Sequence, residues 1–332
     1  MVRLVAAANG NMEEVIHIAC AANENYVPHC AAMLHSALTV DAEARLIVHF
    51  LHDDELSSRS EDALRRLVES LGGIWMAHLV EQKLRDYCPE NRRYGQVAWY
   101  RVMLPWLLEG CDRVLYLDAD TIIRRSLKEI WQSDLSGRAV GAVCNPLYPF
   151  MGTGILDELG LSAGEYFNSG VMLFDLESWR SQELTEQVLE RAKAQGSQEW
   201  PDQNALNVVL RHNWFPLPPK WNCQNTLFDL KMESLPFVEE DVLHARHNPA
   251  IIHYIGAYKP WHLRCKHSLK DLYWHHLAQT PWSGRQMEGN TVRNHLLRLL
   301  PEQQGWLVEA SLRAMRKKIF PASRDRQIDS DH

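Results

Sequence analysis

The sequence predicts an α/β fold with a largely parallel central sheet, and three observations support this prediction. Short apolar runs of strand length recur in the first half of the 332 residues, at 15–21, 45–51 and 73–80. Longer segments of helical character separate these runs. Glycines follow the second helical segment as a stop signal. A strand–helix–strand–helix–strand order requires right-handed crossovers, which place the strands parallel to one another.

Two helical segments connect the three runs. Residues 27–38 are rich in Ala, Met, Leu and Cys. Residues 57–71 carry apolar side chains at helical spacing, which predicts one buried face. The members of that face are Leu64, Leu67, Val68 and Leu71. Gly72 and Gly73 follow directly, so we expect this helix to end there.

The alternation continues beyond these elements. Residues 96–108 predict a helix with Pro105 as a candidate bend, and residues 113–117 predict a strand that ends directly before Asp118. The remaining predicted strands are 139–144, 170–176 and 250–254, and the remaining predicted helices are 184–195 and 203–211. After Pro216 the chain is rich in Pro and Trp, which predicts a segment that wraps over the sheet rather than a separate domain.

Composition argues against several classes of protein. The chain is 46% hydrophobic and 23% charged, as in ordinary globular proteins. Its net charge of −7 argues against a nucleic-acid partner, because nucleic-acid-binding proteins usually carry a basic excess. No run approaches the roughly 20 apolar residues of a membrane helix. Residues 1–14 do not have the pattern of a signal peptide.

Cysteine usage indicates a reducing compartment. The seven cysteines are an odd number, and none of them forms a C-x-x-C pair. Several lie in or beside apolar runs, so we expect buried, reduced thiols. Reduced thiols fit a cytoplasmic protein.

The first candidate site is the triplet Asp118-Ala119-Asp120, which directly follows a predicted strand. Ligands of open α/β sheets bind outside the carboxyl ends of the strands. Residues i and i+2 of an extended chain point to the same side, so both carboxylates can reach one divalent cation. In a chain with 42 acidic residues such a triplet also arises by chance, and the alternative is a polar turn. The buried character of the preceding VLYL run favours the cation, because two carboxylates there would otherwise repel each other.

A second cluster lies far downstream, in the segment HYIGAYKPWH that begins at His253. An imidazole is a common metal ligand, although most histidines are structural or lie on the surface. Gly256 permits close approach of the backbone to a ligand. Lys259 offers a point charge to a phosphate group. The close spacing of these three residues favours a shared function.

The two clusters and four further motifs resemble glycosyltransferase family 8, which contains bacterial lipopolysaccharide galactosyl- and glucosyltransferases and has glycogenin among its relatives. The resemblance covers roughly residues 15–265, and the motifs occur in the order that the family shows. These motifs are CAANENY at 20–26, Arg101 in WYRVML, LYLDADTII at 115–123, YFNSGV at 166–171, PDQNALN at 201–207 and HYIGAYKPWH at 253–262.

The resemblance implies a GT-A fold, which is a Rossmann-like nucleotide-sugar-binding fold with a mixed central sheet. It also implies a UDP-sugar donor, UDP-glucose or UDP-galactose, and a Mn²⁺ or Mg²⁺ ion. The implied metal ligands are Asp118, Asp120 and His253, and an imidazole among oxygen ligands favours Mn²⁺ over Ca²⁺. The implied donor-binding residues are Ala21, Ala22, Asn23, Asn25, Tyr26, Arg101, Asp118, Ala119, Asp120, Asn168, Ser169, Gly256 and Lys259.

The family further implies transfer with retention of the anomeric configuration, with Gln203, Asp202, Arg101 and Asp118 as the catalytic residues. Gln203 would lie nearest the anomeric carbon, and an amide is a poor nucleophile. We therefore expect attack on the same face from which UDP departs. Gln203 would steady the cationic sugar, and Asp202 would hold sugar hydroxyls.

These roles have structural alternatives. Asp202 is a good N-cap residue for the helix predicted at 203–211. Trp261 is better explained by packing than by contact with the substrate. Two residues depart from the family pattern: some members have Asp where this chain has Asn23, and many have Asp where it has Asn204. The first departure weakens the expected uracil contact, and the second affects contacts to the sugar or the acceptor.

The domain prediction assigns residues 1–14 to an N-terminal tail, 15–285 to the catalytic domain and 286–332 to a basic helical tail. Within 306–320, one predicted face is apolar, and the other carries Arg313, Arg316 and Lys317. Such a helix can lie on an anionic membrane, which would place the protein at the inner face of a bacterial inner membrane. There it would meet a saccharide or glycolipid acceptor such as lipopolysaccharide core. The alternative is a helix packed on the main domain.

Two other functions compete with glycosyl transfer. The first is a metal-dependent nucleotidyl- or phosphoryl-transfer enzyme, but such enzymes usually carry a glycine-rich phosphate loop that CAANENY lacks. The second is a non-catalytic protein that binds sugar nucleotides. The sequence leaves the identity of the hexose, the acceptor linkage and the oligomeric state open.

Overall fold

The computed structural model describes residues 5–6, 12–40, 44–89, 95–146, 149–195 and 201–299. The predicted tails at 1–14 and 286–332 fall partly outside these ranges, so the proposed division into domains stays a prediction. The basic side chains predicted for the C-terminal tail, Arg313, Arg316 and Lys317, lie outside the described residues.

The strands of the described chain are, in order, β1 (Val5–Ala6), β2 (Met12–Glu13), β3 (Val15–Ala21), β4 (Arg45–His52), β5 (Ile74–Leu79), β6 (Arg113–Leu117), β7 (Thr121–Ile123), β8 (Val140–Cys144), β9 (Phe167–Asp175), β10 (Trp214–Pro216), β11 (Cys223–Gln224) and β12 (Ile251–His253). The strands predicted at 15–21 and 113–117 have these same bounds, and those predicted at 45–51, 73–80, 139–144, 170–176 and 250–254 are confirmed with shifted ends.

The helices of the same ranges are α1 (Val27–Val40), α2 (Ser58–Ser70), α3 (Gln82–Arg85), α4 (Leu104–Leu107), α5 (Lys128–Trp131), α6 (Pro149–Leu159), α7 (Leu176–Ser181), α8 (Leu184–Gln195), α9 (Pro201–Val209), α10 (Asn225–Asp229), α11 (Glu239–His247), α12 (Lys270–Leu277) and α13 (Val292–Arg298). Short 3₁₀ helices occur at Val97–Met103, Ala163–Glu165, Pro219–Asn222 and Met232–Ser234.

The central sheet contains seven strands in the spatial order β10-β8-β9-β6-β3-β4-β5. β3 pairs in parallel with β4 and β6, β4 with β5, and β10 with β8. β9 runs antiparallel to both of its neighbours, β6 and β8. The sheet is therefore mixed, and the largely parallel arrangement is confirmed for every strand of it except β9.

The order of the strands identifies where a ligand should bind. From β3 the chain builds outward through β4 to β5, and it then returns to the other side of β3 with β6. The crevice at such a reversal, outside the carboxyl ends of the two central strands, is the usual ligand site of an open α/β sheet. The segment after Ala21 and the triplet beginning at Asp118 both start at this edge.

The antiparallel direction of β9 brings a third segment to the same edge. Because β9 runs opposite to β6, it begins where β6 ends, and the Asp118 N–H donates to the Gly170 carbonyl oxygen at 2.8 Å. The pairing with β8 shifts register next to this point, from Ala142 opposite Met172 to Val143 opposite Asn168. Such a bulge re-aims side chains at a site, here those of Asn168 and Ser169.

A small second sheet places the cluster that begins at His253 next to the triplet Asp118-Ala119-Asp120. Its strand order is β11-β12-β7, and His253 lies opposite Thr121 in the antiparallel pair of β12 and β7. The Tyr254 N–H donates to the Asp120 carbonyl oxygen at 3.1 Å. The segment after Pro216 therefore contributes both strands and helices over the main sheet, as its irregular composition suggested.

Local sequence signals place the helix α2. The Ser57 side chain accepts a hydrogen bond from the Ser60 N–H, which caps the first turn. Leu64, Leu67 and Val68 are buried, as their helical spacing predicts. Gly72 has a φ of +82°, a left-handed conformation that glycine adopts at little cost where a helix ends.

Two predicted helices differ from the structure. Residues 96–108 do not form one helix but a 3₁₀ helix, Val97–Met103, followed by the short α4. Pro105 explains the break, because it lacks an N–H and fits only the first turn of a helix. The helix predicted at 203–211 is α9, which already begins at Pro201. Asp202 therefore lies inside its first turn and is not the N-cap residue.

The structure bears on two further predictions, the state of the cysteines and the lack of a membrane-spanning helix. All seven cysteines are buried and none is in a disulfide, which confirms the prediction of buried thiols. Among the described residues, no helix is both long enough and apolar enough to cross a membrane.

Candidate active site

The triplet Asp118-Ala119-Asp120 forms a tight turn between β6 and β7. The Thr121 hydroxyl and the Thr121 N–H both donate to the Asp118 carbonyl oxygen, at 2.8 and 3.2 Å. Ala119 is buried, whereas the side chains of Asp118 and Asp120 remain 24% and 12% exposed. The turn thus fixes the backbone and leaves both carboxylates accessible to a ligand.

Three side chains converge as the predicted metal-ligand set. One ligand atom from each of Asp118, Asp120 and His253 lies within 4.8 Å of the other two. His253 Nε2 lies 3.2 Å from Asp120 Oδ1 and 3.9 Å from Asp118 Oδ2. Two carboxylates and one imidazole suit Mn²⁺ or a similar divalent ion of intermediate hardness.

Gly170 supplies the space in which such an ion fits. A Cβ atom built on Gly170 would lie 2.3 Å from His253 Cε1 and 2.6 Å from Asp118 Oδ2. Any larger residue would therefore displace two of the three ligands. The donor set and this open cradle both fit a bound divalent cation.

The imidazole of His253 is oriented by a residue that sequence reasoning missed. His253 Nδ1 donates to Asn222 Oδ1 at 2.9 Å, which leaves Nε2 to face the carboxylates. Asn222 is fully buried, and its amide nitrogen donates to Asn168 Oδ1 at 2.9 Å. A metal-binding histidine usually donates its other nitrogen to such a partner. No local pattern marks Asn222, because its partners lie far away in the sequence.

Arg101 holds the opposite side of Asp118. Its guanidinium lies 3.0 Å from Asp118 Oδ1 and donates to the Ser169 carbonyl oxygen at 2.6 Å. The guanidinium carbon also lies 4.6 Å from the centre of the Tyr116 ring, and the Tyr116 hydroxyl donates to Asp118 Oδ1 at 3.1 Å. Tyr116 was not predicted, although its position two residues before Asp118 on a strand places both side chains on one side.

Lys259 binds the second carboxylate. Its ammonium nitrogen lies 2.5 Å from Asp120 Oδ2 and donates to the Tyr254 carbonyl oxygen at 2.6 Å. Burial by itself raises the pKa of Asp120, but the charges of Lys259 and His253 outweigh it and hold this pKa well below its usual range. Asp120 is therefore a carboxylate at every physiological pH, as a metal ligand must be.

Asp202 and Gln203 lie next to Arg101, in the first turn of α9. The Asp202 carboxylate is buried and lies 3.8 Å from Arg101 Nε. Burial raises the pKa of Asp202 above its ordinary value, and Arg101 partly offsets this effect. Asp202 is thus a buried acidic group beside Arg101, and a carboxyl group in this position can hydrogen-bond a neutral hydroxyl.

The amide of Gln203 is fixed by hydrogen bonds to three neighbours. Its Oε1 accepts hydrogen bonds from the Ser169 N–H at 3.1 Å and from Asn168 Nδ2 at 3.2 Å. Its Nε2 donates to the Tyr166 hydroxyl at 2.9 Å, and that hydroxyl donates to Asn204 Oδ1 at 2.7 Å. These bonds define which end of the amide is oxygen, so Gln203 presents a pre-oriented dipole beside Arg101.

The predicted nucleotide loop follows β3 directly. Ala21 and Ala22 are buried, whereas Asn25 and Tyr26 are exposed. Asn23 Oδ1 accepts a hydrogen bond from the Tyr26 N–H at 3.2 Å, so this side chain shapes the loop. The loop therefore has small buried side chains at its start and exposed side chains at Asn25 and Tyr26.

Glu24 ties this loop to the start of α2, which sequence reasoning did not foresee. Its carboxylate accepts hydrogen bonds from the Ser60 hydroxyl at 2.6 Å and from the Ser57 N–H at 3.0 Å. These hydrogen bonds outweigh the effect of burial and lower the pKa of Glu24.

The downstream segment closes over the loop. The Trp261 ring stacks on His29 with ring centres 3.4 Å apart, and its edge meets Tyr26 at 5.9 Å. Trp261 is buried, which supports the packing interpretation. Gly256 has a φ of +86°, and its absent Cβ would have no atom within 4 Å. The conformation, and not crowding, explains this glycine.

The structure thus brings the predicted residues to one crevice at the carboxyl edge of the sheet. Two neighbouring carboxylates, Asp120 and Asp118, lie there between two cations, with Lys259 beside Asp120 and Arg101 beside Asp118. The rigid amide of Gln203 lies next to Arg101. Such a site can bind a divalent cation and a polyanion together. It can also place the Gln203 amide against the chemical group that the polyanion carries.

A comparison with protein families agrees with this arrangement. The sequence model of Glycosyl transferase family 8 matches residues 17–265. The matched range includes both clusters of the crevice and every site residue that the sequence predicted.

Curated relatives are bacterial proteins. The chain is 30% identical to General stress protein A of Bacillus subtilis (strain 168), over 82% of this chain and 96% of that protein. It is 27% identical to Lipopolysaccharide 1,2-glucosyltransferase of Escherichia coli (strain K12), over 83% and 81% of the two chains. It is 24% identical to Lipopolysaccharide 1,3-galactosyltransferase of Salmonella typhimurium, over 85% and 83%.

Solved structures show the same architecture. The galactosyltransferase LgtC, in complex with donor and acceptor sugar analogues, superposes with a TM-score of 0.72 at 24% identity, over 80% of this chain and 96% of LgtC. The glycosyltransferase GlyE of Streptococcus pneumoniae gives a TM-score of 0.60 at 20% identity, over 82% and 62% of the chains. These likenesses confirm the predicted GT-A fold.

Proposed function

The chain belongs to glycosyltransferase family 8, and from that membership we propose that it is a retaining, metal-dependent hexosyltransferase that uses UDP-glucose or UDP-galactose. The observation that carries the proposal is the cluster of Asp118, Asp120 and His253 around Gly170, flanked by Arg101 and Lys259. Family membership supports glycosyl transfer in general, and this cluster supports the role of a divalent ion in particular.

The charges of the crevice favour a nucleoside diphosphate as the leaving group. Asp118, Asp120 and His253 would hold Mn²⁺ or Mg²⁺, which neutralises negative charge on a departing diphosphate when it is bound. Lys259, now paired with Asp120, is placed to contribute a further positive charge to the phosphate oxygens. Arg101 is held by Asp118 and by the Ser169 carbonyl oxygen, so it keeps Asp118 in position rather than moving.

Gln203 and Asp202 would act on the donor sugar. The Gln203 amide is a poor nucleophile, and its hydrogen bonds to Ser169, Asn168 and Tyr166 fix it in place. A fixed dipole can stabilise the cationic character that develops at the anomeric carbon. We therefore favour attack by the acceptor on the face from which UDP departs, with a diphosphate oxygen taking the acceptor proton. Asp202 would accept hydrogen bonds from sugar hydroxyls.

The acceptor is proposed to be a saccharide, with lipopolysaccharide or lipooligosaccharide core as the leading candidate. The names of the Escherichia coli and Salmonella relatives support this choice. Such a glycolipid is anchored in a membrane, so we also propose that the enzyme works in the cytoplasm at the inner face of the inner membrane. The predicted basic tail at 286–332 would supply the contact with anionic lipid.

The decisive experiment measures UDP release from a panel of UDP-sugars, with and without Mn²⁺ and with an oligosaccharide of the lipopolysaccharide core as acceptor. We expect release from UDP-glucose or UDP-galactose that requires Mn²⁺, and an α-linked product by NMR. Asp120→Asn should lose most of this activity, whereas Glu69→Gln should retain it, because Glu69 is exposed near the end of α2 and pairs with Arg65 of the same helix.

Other results would favour the competing functions. Release of hexose 1-phosphate instead of UDP would indicate nucleotidyl transfer. Tight binding of a UDP-sugar, with neither transfer nor slow hydrolysis that releases UDP, would indicate a non-catalytic binding protein. Full activity of Asp120→Asn without added metal would contradict the metal-dependent mechanism, and a β-linked product would contradict retention.

A further inference from the structure

A second group of potential metal ligands lies on the central sheet, far from the crevice. One ligand atom from each of His17, His49 and Cys111 lies within 4.8 Å of the other two. His17 is on β3, His49 is on β4, and Cys111 lies in the turn that leads into β6. His17 lies four residues before the end of β3, which corresponds to about 13 Å from the edge that carries the candidate active site.

The two imidazoles face each other through their nitrogens. His17 Nδ1 lies 2.9 Å from His49 Nε2, so one proton is shared between two nitrogen lone pairs. His49 Nδ1 lies 2.9 Å from His78 Nε2, on the neighbouring strand β5. In the tautomer in which His49 donates Nδ1–H to His78, its Nε2 lone pair is directed at His17 and away from the sheet edge. This is the arrangement of a metal-binding histidine that is oriented by a second imidazole.

The separations are close to those of a tetrahedral site. Zinc binds imidazole nitrogen at about 2.0–2.1 Å and thiolate sulfur at about 2.3 Å, which implies about 3.3 Å between nitrogens and about 3.6 Å between sulfur and nitrogen. The two histidine nitrogens need to separate by about 0.4 Å, and the sulfur needs to approach by about 1 Å or less. Both changes are within the reach of small rotations about side-chain bonds.

The environment also suits an ion. His49 and Cys111 are buried, whereas His17 is partly exposed and gives access from solvent. The Cys111 thiol now donates to the Arg113 carbonyl oxygen at 2.9 Å. On binding, the thiol proton would pass to solvent and the His17 proton would move from Nδ1 to Nε2, so one proton is released for each ion bound.

We propose that His17, His49 and Cys111 form a second metal site that binds Zn²⁺ or a similarly soft divalent ion. Two imidazoles and a thiolate are the donors that Zn²⁺ prefers, whereas the carboxylate-rich crevice prefers Mn²⁺ or Mg²⁺. The ion would tie β3, β4 and the turn before β6 together. This proposal does not depend on the proposed glycosyl transfer, and its test does not measure that activity.

The test uses Co²⁺ as a spectroscopic probe on the full-length chain, with excess Mg²⁺ present to compete for the crevice. We expect one equivalent of Co²⁺ to give tetrahedral visible bands and a thiolate-to-cobalt charge-transfer band. Cys111→Ser should abolish the charge-transfer band, and His49→Gln should weaken Co²⁺ binding at least tenfold. The matched controls Cys88→Ser and His35→Gln, which change a buried cysteine and a buried histidine elsewhere, should bind Co²⁺ as the parent chain does.

Two results would overturn the proposal: absence of the charge-transfer band in the parent chain, or its persistence in Cys111→Ser. A measurement on the unaltered chain covers the case in which a variant fails to fold. Added Zn²⁺ should raise the Tm and slow the alkylation of Cys111, as followed by mass spectrometry, more than that of Cys88. Equal alkylation rates of Cys111 with and without Zn²⁺ would also overturn it.

Discussion

At the scale of single residues, the crevice is defined by opposite charges held close together. Asp118 and Asp120 each contact a cation, Arg101 on one side and Lys259 on the other. These contacts place a positive charge beside each of two neighbouring carboxylates, and the charges of Lys259 and His253 hold the pKa of Asp120 well below its usual range. Gly170 leaves the space between the carboxylates and His253 open. The lack of a side chain at Gly170 is therefore as important to the site as its five charged and imidazole side chains.

Gly170→Ala should remove metal binding while leaving the fold intact. The added Cβ would lie 2.6 Å from Asp118 Oδ2 and 2.3 Å from His253 Cε1, so both ligands must shift. We expect Mn²⁺ affinity to fall at least tenfold, together with a loss of about 1–3 kcal/mol of stability from overpacking. Titration of Mn²⁺ by calorimetry or by activity checks this prediction.

Gly141→Ala is the matched control for this change. Gly141 lies in β8, and its Cβ would lie 2.7 Å from Leu135 Cδ2, so the cost of crowding is comparable. This variant should lose stability but bind Mn²⁺ as the parent chain does. Equal Mn²⁺ affinities in the two variants would show that Gly170 does not form the cradle.

At the scale of elements, the site is assembled by three segments that meet at one edge of the sheet. β6 delivers the triplet, the antiparallel β9 delivers Asn168 and Ser169, and β12 delivers His253. The 3₁₀ helix Pro219–Asn222 adds Asn222, which binds both His253 and Asn168. Asn222 is thus a positioning residue that joins two of the three segments.

Asn222→Ala should weaken metal binding without removing any ligand. His253 Nδ1 would lose its acceptor, so the imidazole would no longer be held with Nε2 toward the carboxylates. We expect the Mn²⁺ concentration needed for half-maximal activity to rise about 10- to 100-fold. The maximal rate should recover largely at saturating Mn²⁺, which distinguishes positioning from catalysis.

Asn213→Ala provides the comparison for Asn222→Ala. Asn213 Oδ1 accepts a hydrogen bond from the Ala139 N–H at 3.0 Å and contacts none of the proposed ligands, so its loss should not change the Mn²⁺ dependence. An Asn222→Ala enzyme with an unchanged Mn²⁺ dependence but a reduced maximal rate would contradict the positioning role.

At the scale of the whole molecule, the chain buries several histidines in neutral form. Burial lowers the pKa of His29 and His49 to about 3, and the pKa of His267 and His276 to about 4. In the unfolded chain these groups titrate near about 6.5. Between about pH 4 and 6.5 the unfolded state therefore binds protons that the folded state does not, so stability rises with pH in this window.

The free energy of unfolding should accordingly fall as the pH drops from 7 to 5, with little change above pH 7. Each such histidine contributes up to about 1.4 kcal/mol per pH unit below its unfolded pKa. Urea unfolding at a series of pH values measures this slope. His267→Gln should reduce the proton uptake on unfolding by about one, because burial lowers the pKa of His267 in the folded chain.

A flat free energy of unfolding between pH 7 and 5 would contradict this prediction. The same slope in His267→Gln and in the parent chain would show that His267 is not among the responsible groups.

The local sequence determined the elements whose signals are local. Val15–Ala21 and Arg113–Leu117 were predicted with the bounds that they have, because an apolar run of strand length needs burial on both faces of a parallel sheet. Helix α2 followed from the spacing of Leu64, Leu67 and Val68 and from the stop signal at Gly72 and Gly73. The residues of the crevice followed from family resemblance and not from periodicity.

Only the tertiary structure decided how these pieces act on one another. The antiparallel pairing of β9 with β6 and the contacts of Asn222, Glu24 and Tyr166 depend on partners that are 30 or more residues away. The physical reason is that hydrogen bonds and ion pairs are formed between neighbours in space, whereas propensity and periodicity describe neighbours in the chain. The sequence by itself therefore determined which residues could hold a metal and a sugar nucleotide, and the fold decided that Gly170 and Asn222 give them room and orientation.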